Sequence, residues 1–325
     1  PAMLQRAFEQ LIERHESLRT YFVMAGETPV QRILPGRETS FLLERYTVDP
    51  RAGEPGTGNV FPSFPGLIKA FVRPFDLSVA PLLRAGMVES SAGSFLLVDV
   101  NHIISDAVSH EILSRDFLGF LTGVRLDPPG LHYKEYCHWR EKRNETEVAK
   151  QQEAYWLDRF SDDVPLLNLP LDFPRPPVQD FSGTIIQFDL GPDVYDGLKA
   201  LVSEEGMTMF SVFTAVSVIF LSRLSSQEDI VVEIPVSGRV HAGLQDIIGV
   251  FINTLALRNF PVGSKSFKSF LEEVRDHTVD AFDNQEYQFE ELVEKVVTGR
   301  DAGRSPLFDV LLVWHTMAQM DEDQE

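Results

Sequence analysis

The sequence predicts two mixed α/β lobes joined by an extended segment, and three observations carry that expectation. At 325 residues the chain is longer than one core usually fills, because single cores stop growing at roughly 250 to 300 residues. Helical and strand-like periodicities mix along both halves of the chain and do not segregate, the pattern of layered α/β architecture. Between Ser161 and Ser182 fall five prolines, at 165, 170, 174, 176 and 177, a density that forbids regular helix and favours an extended crossing. The expected division is an N-terminal lobe over residues 1–165, a crossing segment over 166–182 and a C-terminal lobe over 183–325.

Element by element, Leu4, Phe8, Leu11 and Ile12 recur at helical spacing, which predicts an amphipathic helix over residues 2–15. Strands are expected over Leu18–Val23 and Phe41–Tyr46, followed by a loop rich in Gly, Pro and Ser from Arg51 to Gly66. Phe95–Val100 is a short apolar run with β-branched residues and Val108–Leu118 returns to helical spacing. Asn101–Ala107 is therefore a strand-to-helix connection, with Ser105 or Asp106 placed to cap the helix. Beyond the prolines, helices are expected over Asp193–Glu205, Met207–Leu224, Phe267–Phe282 and Phe289–Val297, and strands over Asp229–Ile234, Phe251–Leu257 and Phe308–Trp314. No internal repeat of 20 to 50 residues is visible.

Composition narrows the functional classes. With 43% hydrophobic and 24% charged residues the chain is that of a folded globular protein. A formal charge of −20, from 49 acidic and 29 basic residues, repels phosphate backbones and anionic lipid surfaces, so neither nucleic acid nor membrane is expected as a partner. Cys137 is the only cysteine, which excludes an intramolecular disulfide framework and fits a cytoplasmic location. The longest apolar stretch, Phe210–Leu221, is interrupted by Ser211, Thr214 and Ser217, is shorter than the roughly 20 residues a bilayer requires, and reads as a buried helix. No signal peptide opens the chain, and its first residues already read as helix interior, so the true N-terminus is expected to lie upstream. Met320–Glu325 reads as a solvated acidic terminus.

The chemistry-bearing candidate is His102, an imidazole at a strand end that can accept or give a proton near neutral pH. A lone histidine is weak evidence, but Asp106 follows four residues on, and Arg239 ends an expected strand exit, Ile-Pro-Val-Ser-Gly-Arg, from which it could pair with a distant carboxylate. Competing chemistries leave no trace: there is no Gly-x-Ser-x-Gly elbow, phosphate loop, dinucleotide glycine fingerprint or His-Glu-x-x-His helix. The eight histidines are scattered, and His132 and His138 lie among Tyr133, Tyr136 and Trp139, where packing is a simpler role than metal ligation.

Taken together, several segments resemble condensation domains of nonribosomal peptide synthetases, in that family's order and over almost the whole chain. They are Arg14-His-Glu-Ser-Leu-Arg-Thr20, Pro74-Phe-Asp-Leu-Ser78 with Pro81-Leu-Leu-Arg84, Tyr133-Lys-Glu-Tyr136, Tyr155-Trp-Leu157, Leu169-Pro-Leu-Asp-Phe-Pro-Arg-Pro176, Ile248-Gly-Val-Phe-Ile-Asn-Thr-Leu-Ala-Leu-Arg258, Phe289-Glu-Glu-Leu-Val293 and Arg304-Ser-Pro-Leu-Phe-Asp309. The resemblance implies an α/β (α+β) fold of two chloramphenicol-acetyltransferase-like lobes forming a V, with a tunnel between them. It implies attack by the amine of an acceptor aminoacyl thioester on a donor acyl or peptidyl thioester. Both substrates would ride on phosphopantetheine arms of upstream donor and downstream acceptor peptidyl carrier proteins, beside an adenylation domain, with no bound cofactor and no metal. His102 takes the position of the second histidine of the family's His-His-x-x-x-Asp-Gly motif, where deprotonating the amine, orienting it and stabilising the tetrahedral intermediate all stay open. Asp106 takes the motif's aspartate position and Arg239 that of its partner across the lobes; Ser109 supports the loop, Arg14 and Arg19 match the early arginines, and Asn253 matches the tunnel-lining asparagine. Relative to complete members of the family the chain is expected to be incomplete at both ends.

Here the motif reads Asn101-His102-Ile-Ile-Ser-Asp106-Ala107, with Asn for the first histidine and Ala for the glycine. Asn101 can give and take hydrogen bonds but carries no proton at neutral pH. If the glycine's place calls for left-handed backbone, Ala107 strains it by roughly 1 kcal/mol. A working amide-forming enzyme is the expectation; the alternative is a weak or inactive relative acting as a carrier-binding, gating or recruitment module. Gln288 stands where the family usually has proline, which affects a helix start. Ser109 is followed by His110, whereas epimerising relatives tend to carry Trp there.

Overall fold

The computed structural model describes residues 1–49, 60–164, 166–297, 299 and 301–314. Two compact units divide it: Pro1–Lys142 together with Arg239–Phe251, and Arg143–Gly238 together with Ile252 onward. The contacts therefore change chain partner at Lys142 and not within the proline-rich segment. They also assign thirteen residues from the second half of the chain, Arg239–Phe251, to the first unit.

In the first unit, α1 (Ala2–Arg14) buries Ala7, Phe8, Leu11 and Ile12 on one face. The expected strand at Leu18 begins two residues later. Glu16–Arg19 forms a 3₁₀ turn that sends Leu18 into the core, and β1 (Thr20–Ala25) pairs antiparallel with β2 (Thr28–Ile33). Likewise β3 (Glu44–Val48) starts later than Phe41, because Gln5 satisfies the Phe41 carbonyl and the Leu43 amide, both at 2.7 Å, leaving them nothing to offer a ladder. β4 (Val60–Phe61), α2 (Phe64–Phe71), β5 (Leu83–Ser90) and β6 (Gly93–Val100) follow, and the sheet runs β4-β3-β5-β6, with the last pair antiparallel. Of the expected loop, residues 51–59 lie outside the described residues, and its end forms β4 and the start of α2. α3 (Ala107–Leu121) lies against α1, and α4 (Tyr133–Arg143) closes this part of the chain. Phe8, Leu11, Leu18, Leu82, Ile104, Ile112 and Leu113 make the core, joined there by Ile248 from the returning segment.

The second unit contains α5 (Glu147–Arg159), α6 (Pro192–Glu205), α7 (Met209–Ser225), β7 (Ile230–Val236), β8 (Asn253–Asn259), α8 (Phe267–Asp283) and α9 (Phe289–Val296). β7 and β8 pair antiparallel, with Val236 opposite Asn253, so the segment joining them is the one assigned to the first unit. Oxygen-bearing side chains start three of the helices: Thr146, Thr208 and Ser266 accept from amides in the first turns of α5, α7 and α8. α7 is the expected apolar helix, burying Val212, Ala215, Val218 and Leu221. Among the described residues no single helix is long and apolar enough to cross a membrane. The prolines at 170 to 177 lie in irregular, exposed chain tied to the 301–309 region by Gln179 N to Ala302 O (2.8 Å) and Arg175 to Asp309 (2.7 Å); Pro165 lies outside the described residues. In place of the expected strand Phe308–Trp314 there is a single parallel bridge, Glu233 to Leu311, closed by backbone bonds at Val310 and Leu312. The acidic terminus Met320–Glu325 lies outside the described residues.

Candidate active site

β6 ends at Val100 and the chain turns through Asn101–Asp106 into α3. Asn101 caps the short 3₁₀ turn His102–Ile104: its side-chain oxygen accepts from Ile103 N at 3.0 Å, while its own amide donates to Leu82 O at 3.0 Å. Asparagine thus does structurally what a short polar acceptor is suited to do before a helical turn. His102, the first residue of that turn, is exposed, and Ile104 goes into the core. Ser105 is buried, its hydroxyl 3.3 Å from Asn101 O and 3.4 Å from His110 Nε2.

Asp106, not Ser105, caps α3. Its carboxylate accepts from Ser109 N (2.8 Å), from Arg239 Nη2 (3.0 and 3.2 Å) and from Phe251 N (3.1 Å). Ser109 Oγ lies 2.7 Å from Asp106 Oδ1 and 2.9 Å from Gly249 O, either of which can take its one proton. The same oxygen accepts from Gly249 N (3.1 Å) and Arg239 Nη2 (3.2 Å). Arg239 is fully buried. It donates further to Leu244 O and Ile247 O (2.5 and 2.7 Å), and its guanidinium stands 4.0 Å over the Phe251 ring. Two charges withdrawn from water are costly unless their remaining bonds are met, and here the carboxylate is ringed by donors. Because Arg239 belongs to the first unit, the pair lies within that unit and does not join one half of the fold to the other.

Ala107 is the first helical residue of α3 and is exposed; Ser226 is the only described residue other than glycine with positive φ. The anticipated strain is therefore absent, since the motif's glycine position is helical here.

Arg14 and Arg19 sit at opposite ends of the turn after α1. Arg14 Nε donates to Asp116 Oδ2 at 2.8 Å, and its Nη1 donates to Asp127 O. Asp116 is buried and also meets His15 (3.0 Å) and Arg115 (2.9 Å). Burial pushes its carboxyl up, but the hydrogen bonds from His15, Arg115 and Arg14 outweigh it and hold the group well below the usual carboxylate range. His15 is pulled down from its ordinary value, chiefly by burial. Arg19 donates to Leu34 O and lies 3.5 Å from Glu16.

Asn253, at the start of β8, is buried in the second unit. Its amide donates to Gln285 O and Tyr287 O, both at 2.7 Å, and its oxygen accepts from Phe289 N at 3.2 Å. It fastens the α8–α9 turn, and the amide is spent on that task. Sequence reasoning missed Ser17, whose hydroxyl donates to Ile248 O at 2.5 Å, and the pairing of Tyr133 with Gly249. The aromatic run around Tyr133 was a usable signal; Ser17 lies inside the early Arg14–Thr20 segment, but its partner is 231 residues away.

The condensation-domain family model matches residues 1–325. Tyrocidine synthase 3 of Brevibacillus parabrevis is 44% identical over 312 residues, 95% of this chain and 5% of that protein. Bacitracin synthase 2 of Bacillus licheniformis is 41% identical over 309 residues, 95% of this chain and 11% of that protein. The chain thus spans only a small part of the length of these relatives. The X-domain in its complex with OxyB from teicoplanin biosynthesis shares the fold at a TM-score of 0.83 and 20% identity, with 95% of this chain and 68% of that one covered. A four-domain nonribosomal peptide synthetase bound to AMP and glycine does so at 0.80 and 22%, covering 97% and 24%. The fold is the chloramphenicol-acetyltransferase-like one. A match running from the first residue to the last, with the Asn101–Ala107 loop inside it, places this chain in the condensation-domain family.

Proposed function

We propose that the domain forms an amide bond between two carrier-bound thioesters. The amine of an acceptor aminoacyl thioester attacks the donor's acyl or peptidyl carbonyl; the C–N bond forms, the C–S bond breaks, and the donor's phosphopantetheine thiol leaves with the proton that the amine gives up. The observation that carries the reading is His102, exposed on a turn whose supporting polar groups are bonded to backbone and to the Asp106–Ser109–Arg239 cluster. No hydrogen bond occupies its ring among the described residues, so a ring nitrogen is available to accept from the attacking amine and hold its lone pair toward the carbonyl. Positioning two tethered reactants removes a large part of the barrier, so an orienting histidine suffices for the task. A thioester is already activated toward amines, and the reaction calls on neither metal nor dissociable cofactor.

The partners in this reading are an upstream donor and a downstream acceptor peptidyl carrier protein, with an adenylation domain as neighbour. The donor thiol that the reaction releases suits a reducing cytoplasm, as does a chain with a single cysteine. The test is intact-mass detection of amide transfer between a donor-loaded and an acceptor-loaded carrier. Product appearing only with the domain present supports the reading; a folded domain that binds both carriers and makes no product overturns it in favour of a recruitment or gating module.

A further inference from the structure

Gly249 has no room for a side chain, because a Cβ there would lie within 2.7 Å of Cε2 and Cγ of Tyr133. Tyr133, the first residue of α4, donates its hydroxyl to Val250 O at 2.6 Å and sets its ring edge-on to Phe251, with centroids 5.2 Å apart. These three consecutive residues also carry the backbone groups that hold the N-terminus of α3. Gly249 exchanges hydrogen bonds with Ser109 Oγ through both its carbonyl and its amide, and Phe251 N donates to Asp106 Oδ2.

We propose that Tyr133 is a positioning residue for the condensation reaction, acting through the Gly249–Phe251 backbone to set Asp106 and Ser109, and through them the Asn101–Ala107 loop that presents His102. Its effect on rate rests on the function proposed above; its mechanical part does not. One ring excludes any side chain at 249, and one hydroxyl fixes the carbonyl between the two residues that grip α3. A Cα that cannot move toward Tyr133 and a carbonyl that cannot rotate leave the Gly249 and Phe251 amides aimed at their acceptors. Burial pushes the Tyr133 phenol well above its usual range, so it remains a donor throughout the working pH. Simple packing of Tyr133 with Tyr136 and Phe251 is the competing role, and Tyr133→Phe separates the two because it keeps the ring and removes only the donor.

The experiment compares the full chain with Tyr133→Phe and Gly249→Ala, reading amide hydrogen exchange together with kcat and KM for the loaded carriers. For Tyr133→Phe, exchange at the Phe251 and Ser109 amides is expected to rise about tenfold while the remaining core amides exchange as in the native chain. Its kcat is expected to fall about tenfold with KM held within about twofold, the signature of lost positioning as opposed to lost binding. Gly249→Ala moves both readouts further in the same direction. Native exchange at Phe251 and Ser109 in Tyr133→Phe overturns the proposal, as does a rise spread evenly over all core amides. If the native domain makes no product, exchange alone decides: selective loosening keeps the positioning link and removes the condensation reading.

Discussion

Ala107 opens α3 in ordinary helical conformation, so restoring the family's glycine there removes a good helix former and relieves nothing. Ala107→Gly is expected to lower stability by up to about 1 kcal/mol in denaturant unfolding; a more stable variant would contradict the geometry described. Arg239 is the opposite case. It is wholly buried and is the charged partner of a carboxylate that is itself buried, so Arg239→Ala leaves Asp106 charged and out of water. That variant is expected to lose roughly 3 to 5 kcal/mol by the same measurement, far more than an exposed ion pair such as Lys150 with Glu147, whose disruption costs under about 1 kcal/mol. Asn101 belongs between these extremes: Asn101→Ala removes one cap on a single turn and should cost about 1 kcal/mol.

Among the strands, β7 carries a carboxylate where the rest of its length is apolar. Glu233 is buried, and that burial pushes its carboxyl up to about 7, with Glu290 adding to the rise and the Thr254 hydroxyl opposing it. In the unfolded chain the group ionises near 4.5, so the folded state holds a proton that the unfolded state releases. Stability from this residue is full below about 4.5 and declines as pH rises to about 7. Glu233→Gln is therefore expected to gain on the native chain by roughly 2 to 3 kcal/mol between pH 5 and pH 8, measured as the difference in unfolding free energy. A gap independent of pH would show that Glu233 is solvated. The same strand shows what periodicity can convey: Ile230–Val236 reads as buried strand despite its one acid, and α1, α7 and α8 announce themselves by apolar spacing. β5 is silent because a buried Arg84, bonded to Phe71 O and lying over the Phe75 ring, breaks its apolar run. α4 shows no apolar periodicity because its only inward-packed aromatics, Tyr133 and Tyr136, are half-buried and charged residues surround them. Of the site, His102, Asp106 and Arg239 were legible as motif positions. The partners of Asp106 at Phe251 and of Ser109 at Gly249 were not, since they are backbone groups more than 130 residues away in sequence.

For the molecule as a whole, the first half of the sequence does not complete its own unit. Arg239–Phe251 supplies the guanidinium for Asp106, the carbonyl for Ser17 and the Ile248 side chain to the core. A polypeptide ending at Lys142 is expected to lack a cooperative unfolding transition and native near-ultraviolet circular dichroism, because these losses together match the few kcal/mol by which domains of this size are stable. A fragment that unfolds with native cooperativity would show the returning segment to be dispensable. The net charge of −20 repels anionic polymers at large. The most direct test is the single-turnover rate of amide transfer between loaded carriers, native against His102→Ala. The exposed ring on its fastened turn predicts a loss of about 100-fold or more in the variant, with carrier binding intact; an unchanged rate in a folded His102→Ala domain would contradict the assignment of the reaction to this loop.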